Sequence, residues 1–216
     1  MNQEALLDWY ERNKRPLPWR LNPSPWSILL SEILLQQTQM ERGIEYHERL
    51  LKRFPTLSLM AESSVDDVLL LWQGAGYYSR ARRLHALSIE VVEAHGGVLP
   101  KTYEELLKLP GIGPYTAAAV ASIAYSEPVA CVDGNIRRVM ARQSNQEKPS
   151  MKDVQRFADK HLVIDAPSEW NQAMMELGAL VCKPRNPICD QCPVAETCSG
   201  RSRPHELPRP KTTKKT

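Results

Sequence analysis

Four of the five cysteines crowd into residues 182–198 with the spacing C-x6-C-x2-C-x5-C: Cys182, Cys189, Cys192 and Cys198. Four thiols in one short, loop-rich segment are the donor set of a four-thiolate metal site. Iron and zinc both accept that set, so the spacing admits an iron–sulfur cluster or zinc. A disulfide pair is disfavoured, because the chain opens Met1-Asn2-Gln3-Glu4 with no basic stretch ahead of an apolar one, as a secretion signal would have. Cys131, the odd cysteine, lies in an apolar run and is expected to be buried.

Two carboxylates have environments that chemistry could use. Glu32 is the single charge in residues 27–38, and its neighbours one helical turn away are Ile28, Leu29, Leu35 and Gln36. Desolvation raises a carboxyl toward the range where it donates a proton. The competing reading is a polar stripe of Glu32, Gln36 and Gln39 facing water, and taken alone the pattern favours the stripe. Asp133 follows the apolar residues 128–132 and precedes the turn-forming pair Gly134-Asn135. A helix start and the nearby Arg137 and Arg138 would favour its ionised form.

Between these lies Leu109-Pro110-Gly111-Ile112-Gly113-Pro114-Tyr115-Thr116. Glycines one residue apart allow a tight turn and a close approach, and the Ala-rich residues 116–124 read as the following helix. Its unpaired amides form a ready anion site, so the stretch is read as a phosphate clamp, with an ordinary helical hairpin as the bland alternative. Trp19 beside Arg20 offers a flat face and a fork of donors to a base, or pins a proline-rich loop to the core. Tyr77 and Tyr78 beside Arg80, Arg82 and Arg83 suit stacking plus phosphate neutralisation, against core tyrosines with a solvated basic face.

The elements that must position these groups are helical. Apolar residues recur at helical spacing over 3–13, 27–38, 41–54, from 65 to about 72, 80 to about 95, 102–109, 135–142, 151 to about 164 and 170–181. Prolines keep residues 15–26 irregular, and no strand signal of any strength appears. Ser63 or Ser64 and the box Thr102-Tyr103-Glu104-Glu105 supply helix starts. An all-α fold follows.

Composition sets limits. With 42% hydrophobic residues and 6% aromatic, 216 residues support a real, mostly aliphatic core in one large domain or two small ones. No run approaches the ~20 apolar residues of a membrane span, which reads as a soluble intracellular protein with no membrane partner. The net charge of +3 divides unevenly: residues 201–216 carry +5, leaving the rest at −2. A nucleic-acid case must therefore rest on local patches. Residues 199–216 are rich in Pro, Lys and Thr and read as a disordered basic tail or the start of a linker.

Taken together, the hairpin between helices, an aspartate some twenty residues on and the C-x6-C-x2-C-x5-C segment resemble the helix-hairpin-helix DNA glycosylases of the endonuclease III superfamily, over about residues 5–198. Within it, Ser31-Glu32-Ile33-Leu34-Leu35-Gln36-Gln37-Thr38, Gly76-Tyr77-Tyr78-Ser79-Arg80-Ala81-Arg82 and Val132-Asp133-Gly134-Asn135 are similar to the adenine-specific, MutY-type branch. The resemblance implies that the cysteines hold a [4Fe–4S] cluster, that Glu32 protonates N7 of a flipped adenine and that Asp133 stabilises the oxocarbenium sugar. Tyr115 stands where bifunctional members carry a Schiff-base lysine, implying hydrolysis without strand cleavage.

Gln37 and Tyr77 match the residues that wedge into the duplex, with Thr38 and Arg80 as further DNA contacts. Gly111, Ile112 and Gly113 match the phosphate grip, and Trp19, Arg20 and Gln172 the adenine pocket. The expected architecture has two lobes: a six-helix barrel over 21–133, a cluster domain from 1–20 and 134–199, and a tail or linker start over 200–216. The implied partner is double-stranded DNA containing adenine mispaired with 8-oxoguanine or guanine, bound by a cytoplasmic, nucleoid-associated monomer. MutY-type proteins carry a further C-terminal domain that helps recognise 8-oxoguanine, and the last residues here resemble the linker to it. The alternatives are a thymine glycosylase acting on T:G mismatches and a non-catalytic iron–sulfur sensor of damaged DNA. Glu32 argues against the first, since thymine has no N7, and retention of both carboxylates argues against the second.

Overall fold

A computed structural model describes residues 1–209. Among them the chain forms α1 (Gln3–Asn13), α2 (Pro18–Leu21), α3 (Pro25–Leu34), α4 (Met40–Arg53), α5 (Leu57–Ala61), α6 (Val65–Trp72), α7 (Ser79–His95), α8 (Tyr103–Leu106), α9 (Pro114–Tyr125), α10 (Gly134–Gln143), α11 (Met151–His161) and α12 (Pro167–Leu180). The described residues contain no strand, and none of their helices is long and apolar enough to cross a membrane. They divide into two compact units, Arg15–Glu127 and a discontinuous unit of Met1–Lys14 with the chain from Pro128 onward.

In the Arg15–Glu127 unit, α3 is the helix that others cover. Ser24 caps it by accepting from the Ser27 N–H, Pro25 fits its first turn, and every residue from Trp26 to Leu34 is buried. The small side chains Ala117, Ala118, Ala119 and Ala121 let α9 lie against it, and α2 and α4 also pack on it. Around them α7 holds α5 and α6. Leu29, Leu30, Leu34, Leu50, Leu84, Leu87 and Leu106 are fully enclosed, each stabilising the unit by about 1.5–3 kcal/mol. In the other unit, α12 packs against α1 and α10, and α11 against α10. Trp170, Met174, Leu177, Leu6 and Ile136 fill its core, and Cys131 is buried there as expected.

Several boundaries differ from those the periodicity predicts. The units part at Lys14 and Glu127 rather than at 20 and 133. Residues 15–20 are held in the first unit by buried Leu17 and by Trp19, whose ring meets that of His47 edge-on at 5.0 Å. The same stretch forms one helical turn where irregular chain is expected, because Pro18 has the fixed φ of a first helical residue. Residues 129–131 belong to the second unit through hydrogen bonds. Asn171 donates to the Val129 carbonyl and accepts from the Cys131 N–H, and Gln155 donates to the Ala130 carbonyl. The helix expected over 27–38 ends at Leu34, since Gln37 adopts a left-handed φ of 61°.

The C-terminal stretch requires a correction. Residues 200–209 are packed, not a free tail: Leu207 is buried, the Gly200 N–H donates to the Arg142 carbonyl, and the Leu207 carbonyl accepts from Arg142 Nε. Gly200 sits so close that an added Cβ would lie 2.6 Å from Leu207 Cδ1. The basic tail foreseen at Lys211, Lys214 and Lys215 lies outside the described residues. Leu207→Ala is expected to lower stability by about 2–3 kcal/mol, read from the chemical-denaturation midpoint, and an unchanged midpoint would show that this stretch carries no packing energy.

Candidate active site and metal centre

Glu32 is 8% exposed, so it is buried with the rest of α3 and not on a water-facing stripe. The stripe fails because α3 stops at Leu34: Gln36 and Gln39, both exposed, follow in the turn and no longer share a helix face with Glu32. The Gln36 amide donates to Thr116 Oγ1 at 3.3 Å, fastening the turn after α3 to the first turn of α9, where half-buried Tyr115 stands. Glu32's helix and Tyr115's helix thus form one packed pair.

The hairpin joins α8 to α9. Gly111 has φ +81°, and a Cβ there would lie 3.0 Å from Arg83 Cβ, so both the conformation and the close approach require glycine. The Ile112 side chain is buried, while its N–H donates to the Leu109 carbonyl. Gly113 occupies the cap of α9 with no side-chain oxygen closing the end, and the space beside its α-carbon is open. An uncapped helix start with room before it suits an anion.

Two turns bring further predicted residues to the surface. Gln37 is exposed, and Tyr77 is 61% exposed at a φ of 48°, left-handed like Gln37. Arg82 and Arg83 are exposed on the first turns of α7, but Arg80 is not available to a phosphate. Its guanidinium is buried and donates to the carbonyls of Ile33, Leu34 and Gln36 at 2.8, 3.0 and 2.6 Å, because the chain folds α7 against the end of α3. Thr38 is half-buried and accepts from Arg80 Nη2. Trp19 is buried against His47 instead of offering an open face, and Arg20, half-buried, donates to the Arg15 carbonyl.

In the other unit Asp133 caps α10. Its Oδ1 accepts from the Ile136 N–H at 2.6 Å, and its Oδ2 from the Asn135 amide at 2.9 Å. Burial pushes this carboxyl above its ordinary value, and the donors from Ile136 and Asn135, with the Arg138 charge, offset only part of that rise. Positive charge therefore does not dominate its titration, contrary to the expectation from Arg137 and Arg138. Asn135 Oδ1 in turn accepts from Arg138 Nη2, and Arg138 also donates to the Gly178 and Cys182 carbonyls. Gly178 leaves room for this arrangement, since an added Cβ would sit 2.6 Å from Asn135 Cβ. Gln172, half-buried on α12, donates to Ser168 Oγ.

The four cysteines line one pocket with Val139, Leu177, Val181 and Pro187. Burial pushes the Cys192 thiol up to about 11 and raises Cys198 as well, so both favour the protonated form while no metal is bound. Arg142, buried, donates to the carbonyls of Cys182, Lys183 and Leu207 and to Cys182 Sγ at 3.3 Å. Four thiols, an apolar lining and a guanidinium turned to a sulfur fit an anionic iron–sulfur cluster. Arg138 and Arg142 are supports of this loop. Their signal is the one-turn spacing on α10, which points both side chains the same way.

The profile of the HhH-GPD superfamily of base excision DNA repair proteins matches residues 30–162, and that of the iron–sulfur binding domain of endonuclease III matches residues 182–198. The adenine DNA glycosylase of Homo sapiens is 43% identical over 92% of this chain and 39% of its own length. That of Mycobacterium tuberculosis (strain ATCC 25618 / H37Rv) is 42% identical over 91% of this chain and 66% of its own. The chain thus spans well under half of the human relative. A thermostable thymine-DNA glycosylase superposes with a TM-score of 0.85 at 26% identity, covering 92% of this chain and 94% of that one. Endonuclease III in a non-covalent DNA complex superposes at 0.79 and 23% identity, covering 93% of each.

The Asp133 environment gives a testable sign. Its folded pKa lies above the unfolded one, so ionisation opposes folding, and its contribution to stability grows as pH falls from above the folded value toward the ordinary carboxylate range. Carboxyl carbon-13 NMR is expected to place its midpoint above that ordinary range. In Asn135→Ala, which removes a donor to the ionised form, the midpoint is expected to move higher still; a downward move would contradict the assignment.

Proposed function

This chain belongs to the HhH-GPD superfamily of base excision DNA repair proteins, and from that premise we propose that it hydrolyses the N-glycosidic bond of adenine mispaired with 8-oxoguanine or guanine in double-stranded DNA. The observation that carries this reading is the burial of Glu32 on a helix otherwise lined by apolar and small side chains. Adenine leaves readily only when its ring is protonated, and a carboxyl removed from water keeps a proton for that purpose. Curated relatives at 42–43% identity are adenine DNA glycosylases, which supports the choice of base.

In this reading the duplex phosphate beside the target docks at the uncapped start of α9, while Gln37 and Tyr77 fill the gap left by the extruded base, with Thr38 beside them. Trp19, Arg20 and Gln172 border the adenine; buried Trp19 serves as a wall held by His47. Glu32 donates its proton to N7, the bond between C1′ and N9 breaks with its electron pair going to the base, and positive charge develops on the sugar. Asp133, ionised, stabilises that charge until water adds to C1′. Tyr115 carries no amine, so no covalent imine forms and the strand is left intact at an abasic site.

Cys182, Cys189, Cys192 and Cys198 would hold a [4Fe–4S] cluster. All four thiols line the same pocket, and the match of residues 182–198 to the iron–sulfur binding domain of endonuclease III supports iron over zinc. When bound, the cluster supplies a cross-link for a loop with little core of its own. The protein acts as a monomer on nucleoid DNA.

The thymine-DNA glycosylase likeness makes the base the point to test. With labelled duplexes containing A:8-oxoguanine, A:G, T:G or normal pairs, adenine-strand cleavage is expected only after alkali. Breaks without alkali would refute monofunctional hydrolysis, and loss of thymine alone would move the protein to the other specificity. Glu32→Gln is expected to bind the duplex while excision falls by about a hundredfold or more. Purified protein is expected to be brown and to contain iron; Cys192→Ser should lose the colour, whereas zinc in the parent would overturn the cluster.

A further inference from the structure

Arg80 is a buried cation whose acceptors are carbonyl and hydroxyl oxygens rather than a carboxylate. Burial accordingly lowers its pKa. Part of the compensation is the end of α3: the Ile33 and Leu34 carbonyls are terminal acceptors left without helical partners, at the negative end of the helix dipole. The remaining donors reach two separate turns. Nη1 meets the Gln36 carbonyl and Nη2 meets Thr38 Oγ1, while Nη2 also reaches the Ala75 and Gly76 carbonyls at 3.4 Å. The guanidinium carbon lies 5.4 Å from the Trp72 ring centre and 5.5 Å from that of Tyr77.

The position of two of these acceptors is decisive. Gln36 immediately precedes Gln37, and Gly76 immediately precedes Tyr77, the two left-handed residues. Arg80 holds the chain on both sides of each: its side chain meets the Gln36 carbonyl and Thr38 Oγ1 around Gln37, and around Tyr77 its side chain meets the Gly76 carbonyl while its own N–H donates to the Tyr77 carbonyl at 2.9 Å. One residue therefore restrains both unfavourable conformations at once. Gln37 and Tyr77 sit forty residues apart in the chain yet share this anchor, with Trp72 Nε1 also donating to the Gly76 carbonyl at 3.0 Å.

We propose that Arg80 is a positioning residue that locks Gln37 and Tyr77 into a preset pair, so that both wedge residues are presented together before DNA arrives. This rests on the wedge role assigned to them above. A wedge ordered during folding leaves less conformational freedom to be lost on the duplex, and extrusion of the base is then faster. Lysine keeps the charge but presents its donors from one point, so it cannot span the two turns.

The test compares the parent with Arg80→Lys in single-turnover excision from two duplexes, one with adenine paired to 8-oxoguanine and one with adenine already bulged out. On the paired duplex Arg80→Lys is expected to slow excision about tenfold, and on the bulged one by no more than about twofold, since a bulged base needs no wedge. In a Gln37→Ala/Tyr77→Ala background the same change should add nothing. Equal slowing on both duplexes, full slowing in that background, or parental rates throughout would overturn the proposal. Thr38→Val, which removes one acceptor and keeps the cation, should shift the paired-to-bulged ratio in the same direction, and covers the case of an Arg80→Lys protein that does not fold. Hydrogen exchange reads the clamp without activity: amides of 36–38 and 76–78 should lose protection together in Arg80→Lys. If the parent releases no adenine, the functional reading fails, and the exchange result alone judges the clamp; unchanged protection in both turns would then sink it.

Discussion

An α-helix without a solvent-facing side imposes its requirements on everything around it. From Trp26 to Leu34, α3 has to be covered on all sides, and α2, α4 and α9 do so. The stretch of Ala-rich sequence in α9 is the natural neighbour, because small side chains bring backbones close. One consequence is chemical: a carboxyl carried on such a helix is largely withdrawn from water, as Glu32 is. Another is geometric: the carbonyls at the helix end have to find donors within the protein, and Arg80 supplies them.

Asp133 is placed by the opposite logic. It stands at a helix start, where main-chain and side-chain donors converge on its two oxygens, yet it is buried enough that those donors do not restore an ordinary carboxylate. The two carboxyls of the proposed reaction thus differ in kind. Glu32 is carried in the middle of a buried helix, and Asp133 lies at a helix start within a chain of contacts running through Asn135 to Arg138 and the Cys182 carbonyl. The chain of contacts joins the cap of α10 to the start of the cysteine loop.

What the sequence reveals depends on how local the cause is. The helices follow from apolar spacing, and the metal site from cysteines that all lie within one short stretch, so both are legible without tertiary information. The hairpin is legible because Gly111 is needed for its own backbone. The end of α3 is not, since it is decided by an arginine forty-odd residues later in the chain. Arg80 misleads for a related reason: it reads with Arg82 and Arg83 as one basic cluster and is an interior support, and nothing in its immediate neighbours marks it apart from those two exposed residues. Leu207 escapes notice as a single apolar residue in polar chain, with no period to betray its burial.

Arg142 joins three stretches: the end of α10, the beginning of the cysteine loop and the chain at Leu207. One side chain therefore serves the first cysteine and buried Leu207 together, so loosening the chain at Leu207 removes a brace from the cysteine loop as well.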